Sequence, residues 1–195
     1  MDNLGPFQDW EKPSWDEWCM NIAFAAAMRS PDPATKHGCF IVDKNYHPLG
    51  LGYNAFPPNC DDKMLPLTRP EKYDYMIHAE ENAMNHAMGS LQGATVYVTG
   101  HPCSKCFRDL RAKRVQEVVY GPIGSHCVDF EERDIIRKLN SADGSLTPGT
   151  DPAFPTISFL ASPAGVPIIR LREYEGEITE LMKRTIEYVN IKTNA

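Results

Sequence analysis

Residues 94–120 read ATVYVTGHPCSKCFRDLRAKRVQEVVY. Ala94 to Val98 is rich in β-branched and aromatic residues, which predicts a strand, and Thr99 to Pro102 breaks it. Ser104 to Lys113 predicts a short basic helix, and Glu117 to Tyr120 a further strand that Gly121-Pro122 ends. At the strand-to-helix turn stand Cys103 and Cys106. Two thiols with this spacing at a helix mouth can aim both sulfurs at one spot, where the helix dipole and a metal favour thiolate.

Working outward, Ser14 is a good N-cap, with Asp16 and Glu17 in the first turn and Trp18, Ile22, Ala25 and Ala26 at helical spacing behind it. This predicts a helix over 14–29, stopped by Ser30-Pro31-Asp32-Pro33. Gly38 to Val42, a turn at Asn45-Tyr46, and Pro48 to Tyr53 predict a hairpin. Asn54 to Tyr73 lacks periodicity and predicts a long irregular loop, of the kind that is usually functional in a compact domain. His78 to Met88 is helical in spacing, with Ala79, Ala83 and Ala87 on one stripe and Gly89 as the stop.

Downstream, Phe130 to Leu139 predicts a helix, and Asn140 to Pro155 an exposed loop or insertion, so that 125–155 stands apart. Thr156 to Leu160 and Val166 to Leu171 predict strands, and Glu175 to Tyr188 an amphipathic helix. Helices and strands alternate throughout, which predicts an α/β fold of three layers, a central mixed sheet of about five strands flanked by helices. The 195 residues fit a single domain, with 156–195 as its C-terminal strand-helix part.

The balance of 42% hydrophobic and 24% charged residues is that of a globular protein, and the net charge of -6 comes without any run of Lys or Arg. Such a field repels polyanions, so a small-molecule substrate is expected rather than a nucleic acid. No apolar stretch approaches the ~20 residues that span a bilayer, and the start of the chain carries no basic-then-apolar leader, so no membrane association and a cytoplasmic setting are expected. The six cysteines then read as reduced thiols, two of them on a metal.

The third ligand is expected from His78, which opens a helix in the adjacent layer. Three protein ligands, His78, Cys103 and Cys106, leave a fourth position for water, the pattern of a catalytic zinc that lowers the pKa of its water towards ~7. Glu80 is too close along the helix to share the metal comfortably, yet near enough to handle protons there as general acid and base. A C-x-x-C pair alone also fits a redox motif, which would not need His78 or Glu80, or a structural zinc site, which gives no reason for an acid at Glu80.

His78-Ala79-Glu80 followed by Pro102-Cys103-Ser104-Lys105-Cys106 is the signature of zinc nucleobase deaminases. With Ser30-Pro31-Asp32-Pro33, Gly52-Tyr53-Asn54, Cys60-Asp61-Asp62 and Lys72-Tyr73 in the same order, the chain resembles the deoxycytidylate deaminases of the cytidine deaminase superfamily from about Ser30 to Tyr120. The resemblance implies the cytidine deaminase-like fold and a catalytic zinc. It also implies conversion of dCMP to dUMP and ammonia, which supplies pyrimidine deoxynucleotides for dTMP synthesis. It further implies a homo-oligomer, often a hexamer, and allosteric control by dCTP and dTTP with Mg2+.

Asn54 matches the family's substrate-binding Asn, and Tyr75 and Phe107 are candidate walls for the ring. Lys105, Arg108 and Arg111 could reach a phosphate, although basic residues on a short helix are usually a solvated face. Ala55 stands where the family generally has Gly, Glu81 where it commonly has an apolar residue, and His101 just before the Pro-Cys motif. Cys19, Cys39, Cys60 and Cys127, with His37, His47, His86 and His126, read as buried apolar cysteines and surface histidines rather than a second metal site.

Two other readings remain open at this point. One is a deaminase for dCTP, a modified deoxycytidylate, cytidine, guanine or adenosine in RNA. The other is a non-catalytic zinc module, which would normally be closed by a fourth protein ligand.

Overall fold

The computed structural model describes residues 12–123, 135–136 and 169–193. The first helix, α1 (Trp15–Ala27), begins where Ser14 places it: the Ser14 hydroxyl accepts from the Glu17 amide and the Glu17 carboxylate accepts from the Ser14 amide. This reciprocal cap satisfies two amides that the first helical turn leaves over.

β1 (Gly38–Val42) and β2 (Pro48–Tyr53) form the expected hairpin, and β1 also pairs antiparallel with β3 (Thr95–Gly100). β4 (Glu117–Ile123) lies parallel to β3, and β5 (Arg170–Glu173) parallel to β4. The sheet order is β2-β1-β3-β4-β5, five strands of mixed direction. The fold is the α/β layered sheet that the alternation of elements implies.

One face of the sheet carries Cys39, Ile41, Val96, Val98, Val118 and Leu171, covered by α2 (Ala79–Asn85) and α3 (Ser104–Ala112) through Ala79, Ala83, Phe107 and Leu110. The other face carries Phe40, Val42, Tyr97 and Val119, covered by α1 and α4 (Glu180–Thr193) through Met20, Phe24 and Met182. Close helix approach needs glycine at the contacts. A Cβ on Gly38 would stand 1.9 Å from the Ala23 carbonyl oxygen of α1, and one on Gly52 would stand 2.3 Å from the Ala83 nitrogen of α2.

Several boundaries differ from the sequence reading. α2 ends at Asn85 rather than near Met88, because the Met88 amide leaves the helix to bond the Leu49 carbonyl, and the chain turns at Gly89 with φ of 95°. β4 runs through Gly121-Pro122 to Ile123, past the expected stop. The β3–β4 register shifts there, and Gly121 has room against the Thr99 carbonyl that a side chain would lack. A bulge of this sort accommodates proline in a paired strand.

The last helix starts at Glu180 instead of Glu175. Thr179 stands ahead of it, its hydroxyl accepting from the Met182 amide and donating to Asn21 Oδ1 on α1, 2.6 Å away. Of the expected strand Val166 to Leu171 only residues 169–171 lie inside the described residues, and β5 takes in Arg170 and Leu171 and runs on to Glu173. The segments 140–155 and 156–160 lie outside the described residues, and of 130–139 only Ile135 and Ile136 lie inside; Ile136 is buried in the α2/α3 core. Among the described residues no helix is long and apolar enough to cross a membrane.

Candidate metal centre and active site

His78 and Cys103 hold equivalent positions: each is the N-cap residue of its helix, in extended backbone at φ -69°, ψ 157° and φ -76°, ψ 165°. At an N-cap the side chain stands at the mouth of its helix, and the mouths of α2 and α3 adjoin. Cys106 follows in the first turn of α3, buried, on the same side as Cys103. The three donor atoms lie within 4.8 Å of one another, and His78 Nδ1 is 3.4 Å from each sulfur.

These distances fit zinc. Bonds of ~2.0 Å to nitrogen and ~2.3 Å to sulfur at a tetrahedral angle separate N from S by about 3.5 Å. The protonation of the cluster points the same way. Cys103 is pulled down to about 4, chiefly by hydrogen bonding with Cys106 and with His78, while His78 is raised to about 9 by its hydrogen bond to Cys103. Cys106 is pushed up by its bond to Cys103 and by burial. Positive charge is therefore drawn to the point between the three donors, where a cation would replace shared protons. Among the described residues this is the one such cluster of His, Cys and carboxylate groups.

Glu80 sits in the first turn of α2, only 5% exposed, and burial raises its carboxyl to about 7 against the opposing pull of the His78 charge. A carboxyl poised between its two forms near neutral pH can both take and return a proton. The neighbouring Glu81 points outward instead and pairs with Lys105 of α3 at 3.1 Å, clasping the two helices that carry the ligands.

Asn54 follows β2, 5% exposed, with its amide engaged by the protein: Oδ1 accepts from the His37 amide at 2.8 Å and Nδ2 donates to the Thr35 carbonyl at 2.9 Å. Ala55 pairs with Ile77 in a one-residue antiparallel bridge that brings Asn54 beside the approach to His78. Its Cβ costs no strain, since among the described residues the left-handed ones other than glycine are Tyr46, Asn59 and Arg114. Tyr75, in the turn before His78, is 47% exposed.

Phe107 differs from the sequence reading. It has no exposed surface and lies in the α2/α3 core with Ala79, Ala83 and Val98, so its ring supports the cysteine turn from behind instead of forming an open wall. Lys105 and Arg108 are paired with Glu81 and Asp109 on the exposed face of α3, as a solvated helix face would be. His101 is buried, its ring 4.8 Å from that of Tyr120, with Nδ1 donating to the Pro102 carbonyl.

Cys19 and Cys39 are buried as expected, Cys60 is exposed, and His47 is a surface residue paired with Asp43. His37 is not a surface histidine. Its partly buried ring lies 3.3 Å from Thr99 Oγ1 and against Gly100, where the His78 and Cys103 charges act on it. Cys127 and His126 lie outside the described residues. The role of His37 was not legible, because nothing in local spacing brings residue 37 to the end of β3.

Residues 13–122 match the sequence model of the cytidine and deoxycytidylate deaminase zinc-binding region. The chain belongs to the cytidine and deoxycytidylate deaminase family. Membership makes it a zinc-binding hydrolytic deaminase. Among its relatives, the deoxycytidylate deaminase of Mus musculus is 36% identical over 132 residues, 64% of this chain and 73% of that one. That of Homo sapiens is 36% identical over 137 residues, 67% and 76% of the two chains. The deoxycytidylate deaminase of Mycobacterium phage D29 is 36% identical over 123 residues, 56% of this chain and 95% of that one. In fold, the deaminase is similar to the apo dCMP deaminase of cyanophage S-TIM5, with TM-score 0.53 at 20% identity over 84% of this chain and 99% of that one.

Proposed function

We propose that this deaminase converts dCMP to dUMP and ammonia, with zinc held by His78, Cys103 and Cys106 and with Glu80 carrying the protons. The observation that supports it most is the placement of a buried carboxyl, Glu80, in the same helical turn that His78 opens, beside three donors spaced for zinc. Relatives named as deoxycytidylate deaminases at 36% identity support the substrate.

A bound zinc supplies Lewis acidity, which makes water a nucleophile at neutral pH. Glu80 takes the proton released as water adds to C4 of the pyrimidine and delivers it to ring N3. The same carboxyl then serves the exocyclic amine, so that the C4–N bond breaks with ammonia leaving and a carbonyl remaining. Burial excludes bulk water from this exchange and raises the carboxyl above its ordinary range. The fixed amide of Asn54 and the exposed ring of Tyr75 border the nucleotide, and Phe107 holds the cysteine turn in place.

The same reading extends to a single domain, to assembly as a homo-oligomer such as a hexamer, to control by dCTP and dTTP with Mg2+, and to a cytoplasmic role in supplying dTMP synthesis. Its test is direct. The zinc-loaded protein is given dCMP, dCTP, cytidine and guanine, and ammonia release is measured. Fast release from dCMP alone is expected; preference for another base or nucleotide by tenfold or more would reassign the substrate.

A further inference from the structure

Asp32 and Lys72 form an ion pair at 2.5 Å, with side chains only 2% and 3% exposed. Burying two charges is costly, and removing either partner of such a pair leaves the other buried without compensation, so the two side chains are held to each other. Every acceptor site on Asp32 is used. Oδ1 accepts from the Ala34 and Thr35 amides at 2.8 and 3.2 Å, and Oδ2 takes Lys72 together with Asn54 Nδ2 at 3.4 Å.

Two consequences meet at the metal centre. Asp32 shapes the turn whose Thr35 carbonyl and His37 amide grip the two ends of the Asn54 amide, so Oδ1 and Nδ2 cannot exchange places. Lys72 belongs to the 3-10 turn Glu71–Asp74, and its carbonyl accepts from the Tyr75 and Met76 amides just before Ile77 bridges Ala55 and His78 follows. Arg69 adds a second clasp to the same turn through Thr35 Oγ1, 3.0 Å away.

We infer that Asp32 and Lys72 are positioning residues for the reaction: the pair orients the Asn54 amide against the nucleotide. It acts through Asn54, not on the reacting atoms. The kinetic consequence rests on the proposed dCMP reading.

The test compares zinc-loaded wild type, N54A, the charge-neutral double variant D32N/K72M, and the two combined, with zinc per chain, Tm, kcat and KM for dCMP measured on each. D32N/K72M and N54A are each expected to raise KM by about tenfold, the upper value of one hydrogen bond between neutral groups, with zinc retained. The combined variant is expected to be no worse in KM than N54A. A purely structural pair would lower Tm and leave KM alone. Wild-type KM in D32N/K72M, or effects that multiply in the combined variant, would overturn the inference. If the double variant does not fold, D32E takes its place, since it keeps both charges and moves the acceptor by one methylene; an unchanged KM there overturns it equally. A wild-type protein inactive on dCMP fails the substrate reading alone. The pair is then judged on the Asn54 side-chain amide resonances, which should exchange slowly in wild type and rapidly in the variant; slow exchange in both would sink it.

Discussion

Nδ1 of His78 and Sγ of Cys103 approach to 3.4 Å although 25 residues separate them, because each is the extended N-cap of a helix on the same face of the sheet. Neither residue brings the side-chain oxygen with which a Ser or Asp caps its helix, and the Cys103 thiol bonds instead to the two other donors, Cys106 and His78. Both side chains are thereby left to the metal.

Removing one ligand should therefore remove the metal. In Cys106→Ser the zinc content of the purified protein is expected to fall well below one per chain. Zinc at ~1,000 times its dissociation constant should stabilise wild type by ~4 kcal/mol, visible as a rise in Tm that the variant lacks. Equal zinc-induced rises in both proteins would refute the assignment of the ligands.

Glu80→Gln keeps the size of the side chain and removes its proton exchange. Turnover should drop by ~10²–10⁴, the usual worth of a general acid and base, with zinc content unchanged. Ammonia release together with metal analysis checks it. Activity near wild type would exclude Glu80 as the proton carrier.

The helix-to-sheet contact at Gly38 leaves no space. Gly38→Ala places a Cβ 1.9 Å from the Ala23 carbonyl oxygen, which is backbone and cannot swing aside. A loss of at least ~2 kcal/mol is expected, with Tm lower by roughly 4 °C or more. Gly89→Ala has an open surround and would suffer only from its φ of 95°, so its smaller loss is the control.

His37 links stability to acid. Its folded pKa is pushed down to about 4, first by burial and then by the His78 charge, while an unfolded histidine titrates near ~6.5. The unfolded chain thus binds more protons in this window, and stability should fall as pH drops from ~6.5 towards 4, by at most ~3 kcal/mol from this residue. Denaturant midpoints from pH 7 to 4 should show a shallower slope in His37→Gln. Identical slopes would mean that His37 is not buried neutral.

Much of this was legible from local sequence. The capping box at Ser14 and Glu17, the hairpin around Asn45-Tyr46, and the joint aim of Cys103 and Cys106 depend on residues a few positions apart, and short-range geometry suffices for them. Helix ends were less legible. Whether α2 stops at Asn85 depends on the Leu49 carbonyl across the interface, and whether β4 continues past Gly121 depends on the register of β3. The burial of Phe107 and exposure of Tyr75 likewise follow from which face each element turns to its neighbours.

By itself the sequence determined the ligand types, the acid beside them and the order of helices and strands, since these follow from residue chemistry and from periods of two and 3.6 residues. Only the tertiary structure decided that Asp32, His37, Asn54 and Lys72 converge on the approach to His78. Their contacts span from 17 to 40 residues, and a buried charge finds its partner through packing, which no local pattern encodes.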